Sequence, residues 1–185
     1  MTIKNSLSLS IALAALLLAG CSTPTHVNSG SVKAQTFNFI NGGVVPAAEF
    51  ADPREAIHKM IQDAITQNLA GKGVRKVDSG GDVTVAYLVI VGNNASTERI
   101  DKYFGYGRDA AALHDQAQDA YAGNKSPNYF EAGTLLVDVV DAKTFKLLKR
   151  NYVVRPILNK PTAEVRAANI QQAVDDVLKD LRIAR

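Results

Sequence analysis

The chain has 185 residues, of which 46% are hydrophobic and 21% charged, and its formal net charge is +3. This composition excludes a wholly disordered or collagen-like chain, and the length predicts one domain or at most two. The single Cys excludes a disulfide framework within the chain and any multi-Cys metal site. With only three His as well, we expect no metal and no cofactor. The small positive charge does not indicate nucleic-acid binding.

Residues 1–20 have the three parts of a secretory signal peptide. Lys4 supplies the positive start, and residues 7–19 are almost entirely Leu, Ala and Ile. This apolar run is shorter than the roughly 20 residues that a bilayer span requires. The pattern therefore favours a cleaved signal peptide, with an uncleaved anchor helix as the alternative.

The apolar run ends in Leu18-Ala19-Gly20-Cys21, which resembles a bacterial lipobox. The resemblance implies cleavage between Gly20 and Cys21, followed by attachment of diacylglycerol to the Cys21 thiol. Ser22 follows, and it resembles an outer-membrane sorting signal, since lipoproteins kept in the inner membrane usually carry Asp there. We therefore expect a lipid-anchored protein of the outer membrane that faces the periplasm.

The segment after the cleavage site, residues 21–31, is rich in Ser, Thr, Pro, Asn and Gly. Such a composition is typical of a flexible tether. His26 lies in this segment, and we expect it to be solvated. Residues 32–185 are then expected to form a single domain held close to the membrane.

The first predicted element of that domain is a strand, Val32–Ile40. Phe37 and Phe39 stand two positions apart, which is typical of a strand with one buried face. Asn41, Gly42 and Gly43 then interrupt the pattern.

The next predicted element is an amphipathic helix that begins near Asp52. Asp52 can cap the helix, Pro53 suits its first position, and Glu55 completes a capping box. Gly71 is expected to end it. His58 lies beside the apolar stripe and is expected at its boundary. The stripe has helical spacing and consists of Ile57, Ile61, Ala64, Ile65 and Leu69.

Three further segments have strand character. Val83–Val91 is apolar at both odd and even positions, which predicts a central strand covered on both faces. Thr134–Val140 and Phe145–Val154 flank the turn-like sequence Asp141–Thr144, which predicts a hairpin. Pro156 and Pro161 follow the second hairpin strand and end it.

A second helix is predicted near the C-terminus, with Thr162 as its cap. Its apolar stripe consists of Ile170, Val174, Val177, Leu178 and Leu181.

The element order predicts an α+β domain with a mixed or mostly antiparallel sheet of about four or five strands and two helices on one face. The insert 92–130 is assigned only a helical patch near 108–121, and a loop of this length is usually functional or mobile.

Several of these segments resemble a large family of bacterial lipoproteins that is known only as a domain of unknown function. The resemblance lies in Phe37–Phe39, Gly81–Tyr87 and Glu131–Leu147. It implies a small α+β envelope lipoprotein and transfers no catalytic residue. The sequence departs from the family at Phe145, where Gly is frequent, and at Lys149, where an aromatic residue is expected.

A basic segment near the hairpin is the strongest candidate for a binding surface. It contains Lys143, Lys146, Lys149, Arg150, Arg155 and Lys160 and no acidic residue. One interpretation is edge-strand protection, in which charged side chains prevent pairing with other chains. The other is contact with an anionic envelope component such as lipopolysaccharide phosphate or peptidoglycan carboxylate, which would depend on salt.

Three aromatic residues of the insert, Tyr103, Phe104 and Tyr106, form a second candidate surface. They can contact a partner or glycan, or they can fold back onto the sheet.

Other motifs in the sequence do not indicate a functional site. Gly105–Ala110 matches a dinucleotide fingerprint without the required preceding strand. His114 and Asp115 are adjacent and cannot face each other on a helix.

The sequence favours a non-enzymatic binding or assembly module of the cell envelope. Its expected partners are the membrane, through the lipid anchor, and an anionic component or another envelope protein. An accessory subunit of a transport or assembly machine is the first alternative. An enzyme acting on envelope polymers is disfavoured, because no catalytic constellation emerges from the sequence.

Overall fold

The computed structural model describes residues 26–40, 55–91, 95–96, 129–130 and 132–184. The strands in these ranges are β1 (Val27–Asn28), β2 (Ser31–Lys33), β3 (Thr36–Phe39), β4 (Arg75–Lys76), β5 (Val83–Ile90), β6 (Ala95–Ser96), β7 (Tyr129–Phe130), β8 (Thr134–Asp141), β9 (Leu147–Val154) and β10 (Arg182–Ala184). The helices are α1 (Glu55–Gly71) and α2 (Ala163–Leu178).

The main sheet has six strands in the order β1-β9-β8-β5-β3-β4. β3 is parallel to both β4 and β5, whereas the β5–β8, β8–β9 and β1–β9 pairs are antiparallel. Two small sheets, parallel β2–β10 and antiparallel β6–β7, complete the described strands. The predicted α+β fold with a mixed sheet is therefore confirmed. The sheet has one strand more than expected because each outer strand contains only two residues.

The predicted tether ends earlier than residue 31. Val27 lies opposite Arg150 and Asn28 opposite Lys149, so β1 belongs to the main sheet. His26 stacks on the ring of Tyr152, with 4.8 Å between the ring centroids. The prediction of a tether over residues 21–31 is therefore wrong from His26 onward, and only residues 21–25 remain for it. Those residues lie outside the described ranges.

The predicted strand Val32–Ile40 is divided into β2 and β3, which belong to different sheets. Asp82 holds the chain at the division. Its carboxylate accepts hydrogen bonds from the backbone N–H groups of Gln35, at 2.9 Å, and Thr36, at 3.0 Å, and from the Thr36 hydroxyl. The Gln35 bond, followed by those of Thr36, holds the pKa of Asp82 below its ordinary value. These bonds therefore contribute their full stability when the pH is above the ordinary carboxyl pKa. The contribution is lost as the pH falls through the lowered pKa of Asp82 in the folded protein.

Helix α1 buries the predicted stripe and ends at Gly71, as predicted. The left-handed residue is Gly73, with φ 84°, and not Gly71. Gly73 N–H donates to the Ala70 carbonyl and Val74 N–H donates to the Leu69 carbonyl, which together form a Schellman motif. The Asp52 and Pro53 cap residues lie outside the described ranges.

Helix α2 begins at the predicted cap. The Thr162 hydroxyl accepts a hydrogen bond from the Val165 N–H. Val174, Val177 and Leu178 are fully buried, and they pack with α1 against one face of the sheet. Two helices on one face were predicted, and the structure confirms this arrangement.

β5 is buried on both sides, as its apolar pattern predicts. Val83 and Val85 belong to the helix-side core, whereas Ala86, Leu88 and Ile90 point to the opposite side and are also buried. The opposite face therefore carries a second set of buried residues, to which β8, β9 and Phe130 of β7 contribute.

The hairpin between β8 and β9 turns at Asp141–Thr144, as predicted. The Asp141 carboxylate accepts hydrogen bonds from the N–H groups of Lys143 and Thr144 and from the Thr144 hydroxyl. Phe145 follows with φ 57°, and β9 begins only at Leu147. Because the left-handed region favours glycine, Phe145 occupies a backbone position that glycine would adopt without strain.

We expect Phe145→Gly to stabilise the domain. The Phe145 side chain is 73% exposed and its removal costs little burial, while Gly relieves a left-handed conformation that costs roughly 1–2 kcal/mol in other residues. The expected gain in the free energy of unfolding is about 0.5–1 kcal/mol, measured by urea unfolding followed by circular dichroism. Lys160→Gly, at φ 50°, provides a matched control and should gain similarly. A loss of stability in the Phe145→Gly variant would contradict this account of the turn.

Candidate functional site

An apolar pocket lies on the helix side of the main sheet, at the end where β9 leaves it. Its cavity volume is about 160 Å³. The walls come from α1, β5, β8 and α2, and they include Ile57, Ile61, Val89, Leu135, Ile170 and Ala173. An apolar cavity of ~150 Å³ accommodates a ligand of benzene size. The pocket therefore has room for a small ring or the end of an alkyl chain.

The mouth of the pocket combines exposed apolar side chains with two arginines. Ile157 is 58% exposed and Leu158 is 43% exposed, and both belong to the loop that follows β9. Arg155 makes an ion pair with Asp176 of α2. Arg166 is half-buried, and within the described residues no carboxylate pairs with its guanidinium. A cation is therefore available beside an apolar cavity.

Gly133 allows the loop after β9 to approach β8 closely. Its φ is 86°, and a Cβ atom built on it would lie 2.1 Å from the carbonyl oxygen of Arg155. Gly133 N–H donates to the carbonyl of Ile90, and its own carbonyl accepts from Arg155 N–H. These bonds join the ends of β5, β8 and β9 at the pocket.

Sequence reasoning did not find this pocket. The available signal was the pair Pro156 and Pro161, which bound a short segment with two consecutive apolar residues, Ile157 and Leu158. In the sequence the prolines indicated only the end of a strand. The pocket walls come from four separate elements, and their convergence depends on tertiary packing.

The predicted basic surface does not exist as one surface. Consecutive residues of a strand point to opposite faces, so Lys149 and Arg150 leave β9 on different sides. Both are buried, Lys149 at 5% exposure and Arg150 at 0%. The prediction that these two residues form an exposed binding surface is therefore wrong.

The remaining basic residues lie at two ends of the sheet. Lys143 and Lys146 are at the hairpin before β9, whereas Arg155 and Lys160 follow it. β9 itself is about 26 Å long at ~3.3 Å per residue, which separates the two pairs. β1 also covers the middle of β9, so the edge-strand interpretation is wrong for Lys149 and Arg150.

Arg150 forms a buried ion pair with Asp138 of β8 on the sheet face opposite the helices. Arg150 Nε donates to one carboxylate oxygen at 2.8 Å and Nη2 donates to the other at 2.6 Å. Both side chains have 0% exposure. The two residues lie opposite each other in the β8–β9 register. Their bidentate contact therefore joins the two strands of the hairpin.

His58 is buried and is not the boundary residue that was expected. Its Nδ1 lies 3.2 Å from the phenolic oxygen of Tyr87, which also accepts a hydrogen bond from Gln62 Nε2 at 3.0 Å. Burial raises the pKa of Tyr87, and the bond from Gln62 partly opposes this effect. The group connects α1 to β5 beside the ring of Phe39.

Several predicted residues lie outside the described ranges. They are Gly20, Cys21, Ser22, Tyr103, Phe104, Tyr106, His114 and Asp115. Among the residues that the structure does describe, no group of three His, Cys, Asp or Glu side chains is placed to hold a metal ion. None of the described helices has the length and apolar character needed to cross a membrane.

A comparison with protein-family models shows the family to which the chain belongs. A model described as Domain of unknown function (DUF4136) matches residues 25–181. The match spans most of the chain, which therefore belongs to this family, as the resemblance predicted. No curated protein and no solved structure matches the chain.

Proposed function

We propose that the protein is a lipid-anchored, non-enzymatic binding module of the bacterial cell envelope, and that its binding site is the apolar pocket between α1 and α2. The ligand class is an amphipathic molecule with a small apolar end and an anionic head. The observation that carries the proposal is the combination of an apolar cavity with the available guanidinium of Arg166 at its mouth.

The chemistry of the pocket supports this ligand class. Ligand sites are typically concave and mostly apolar, with a few polar groups that fix orientation. The walls are mostly aliphatic, so they suit a hydrocarbon group, and Asn169 of α2 adds one polar uncharged side chain. Arg166 can donate two parallel hydrogen bonds to a carboxylate or phosphate. Its position in the first turns of α2 adds the favourable field of a helix N-terminus for an anion.

Decanoate is a suitable probe of this proposal. We expect it to bind the unacylated Cys21→Ser chain and to shift the NMR signals of Ile170 and Ala173. Arg166→Gln should weaken decanoate binding about three- to tenfold, because a half-buried ion pair is partly screened by solvent. Titration calorimetry gives the dissociation constants.

Two controls separate the arginine's charge from other effects. Arg182→Gln removes an exposed arginine of β10 and should leave decanoate binding unchanged. Decanol has the same alkyl chain without charge, so its binding should not respond to Arg166→Gln. Equal decanoate affinity in the parent and the Arg166→Gln variant would contradict the assigned role of Arg166. No binding of either probe would contradict the pocket as the site.

The anchor is tested separately at Cys21. We expect the Cys21→Ser variant to lose incorporation of labelled palmitate and to leave the membrane fraction, because two or three acyl chains are needed for stable membrane retention. Fractionation and mass spectrometry of the N-terminal peptide measure both effects. A variant that still incorporates palmitate and stays in the membrane would contradict the lipid anchor.

A further inference from the structure

We propose that the loop after β9 and the adjacent start of α2 form a membrane-contact surface, so that the mouth of the pocket faces the leaflet that holds the lipid anchor. We call residues 155–161 together with Arg166 the loop face. The occupant of this face is the headgroup region of an anionic bilayer. The inference rests on the proposed anchor at Cys21.

At His26 the chain points towards the end of the sheet that carries the loop face. β1 is antiparallel to β9, with Val27 opposite Arg150. Towards the N-terminus the chain therefore runs in the direction in which β9 ends, and His26 already stacks on Tyr152. The N-terminal end of β1 and the loop after β9 thus point in one direction.

The chain between the sheet and the anchor is short. At ~3.6 Å per residue, Cys21 lies at most about 18 Å from His26. The same limit applies between Tyr152 and Ile157, which are equally far apart along the chain. The loop face can therefore reach the bilayer surface whenever the acyl chains are inserted.

The composition of the loop face suits a bilayer surface. Ile157 and Leu158 are exposed side chains of the kind that enter the headgroup boundary. Arg155, Lys160 and Arg166 provide positive charge, and residues 155–161 contain no acid. Lipid headgroups with negative charge attract such clusters within a Debye length.

Two acidic residues near the loop face cancel part of this charge. Asp176 is paired with Arg155. Glu164 is exposed in the first turn of α2, where its pKa lies below the ordinary value through hydrogen bonding to its own backbone and to Thr162. With three basic and two acidic side chains, the face keeps a small net positive charge, which favours an anionic bilayer over a neutral one.

The opposite end of the sheet offers a matched reference. Phe145 is 73% exposed, more than Ile157, and it lies at the hairpin before β9. It is flanked by Thr144 and Lys146, so it too combines an apolar side chain with a basic neighbour. A difference between positions 145 and 157 therefore reports orientation and not exposure alone.

The test places an environment-sensitive fluorophore on the full acylated chain, at Ile157→Cys or at Phe145→Cys. Each labelled protein is reconstituted in phosphatidylcholine vesicles with and without phosphatidylglycerol. We expect a blue shift at position 157 and quenching by nitroxides on the lipid acyl chains, with neither effect at position 145. The shift should be larger with phosphatidylglycerol and should decrease with added salt. Circular dichroism confirms that both variants keep the parent fold.

Equal quenching at the two positions, or stronger quenching at position 145, would overturn the proposal that the loop face contacts the membrane. A photocross-linker at position 157 that captures one protein in native membranes, in place of lipid, would overturn it as well. If mass spectrometry finds Cys21 unacylated, the proposal of a lipid anchor is wrong, and the loop face is tested without it. The Cys21→Ser chain labelled at Ile157→Cys is then mixed with anionic vesicles, where quenching at 157 supports the surface and its absence overturns it.

Discussion

Replacing Arg150 with Met should destabilise the domain by about 3–5 kcal/mol, because it removes the positive charge that contacts the buried Asp138 carboxylate. Asp138→Leu should have a similar effect, since it leaves a buried guanidinium. The double variant Asp138→Leu/Arg150→Met should lie within about 1–2 kcal/mol of the parent, because two apolar side chains remove both desolvation costs. The chain has no Trp, so urea unfolding is followed by circular dichroism.

The exposed pair Lys59–Asp63 is the matched control for this cycle. Its N···O distance of 2.7 Å is close to that of the buried pair, but its side chains are 75% and 66% exposed. Lys59→Met should change the free energy of unfolding by less than about 0.5 kcal/mol. If Arg150→Met were no more costly than Lys59→Met, the buried position of the Asp138–Arg150 pair would be refuted.

Gly133→Ala should also be strongly destabilising, by about 2–5 kcal/mol. A left-handed conformation costs a residue with a Cβ atom roughly 1–2 kcal/mol, and forcing an extra methyl group into a packed site adds about 1–3 kcal/mol. The methyl group would collide with the carbonyl oxygen of Arg155. Since that collision moves the loop after β9, we also expect decanoate binding to be lost.

A variant at Gly73 separates the cost of the left-handed conformation from the cost of the steric collision. Its φ of 84° is nearly that of Gly133, but nothing lies within 4 Å of a Cβ atom built there. Gly73→Ala should therefore show only the conformational cost, roughly 1–2 kcal/mol, and should leave decanoate binding intact. If the two variants lost equal stability, the close approach of Gly133 to Arg155 would play no part in the fold.

Much of the fold follows from local sequence patterns. The alternation at Phe37 and Phe39, the two-sided apolar run of β5 and the stripe of α2 each depend on spacing within one segment, and the structure confirms all three. The turn at Asp141 was also predictable, because its carboxylate bonds to N–H groups only two and three residues away.

The errors arose where pairing across the sheet decides the outcome. Nothing local indicates that Val27 pairs with Arg150, so β1 was assigned to a tether. Arg150 looked like a surface cation because its partner, Asp138, lies on another strand. The pocket could not be found for the same reason, since its walls and its mouth come from segments far apart in the chain.

The pairing of β2 with β10 has a consequence for folding. β2 lies near the start of the domain, and its parallel partner is formed by Arg182–Ala184. β1 likewise requires β9. Such contacts between distant segments form slowly, and each of these two strands lacks its partner until that partner has been synthesised. In a growing or partly translocated polypeptide, β1 therefore stays unpaired until β9 arrives and β2 until Arg182–Ala184 arrive, and the chain depends on protection from aggregation during that interval.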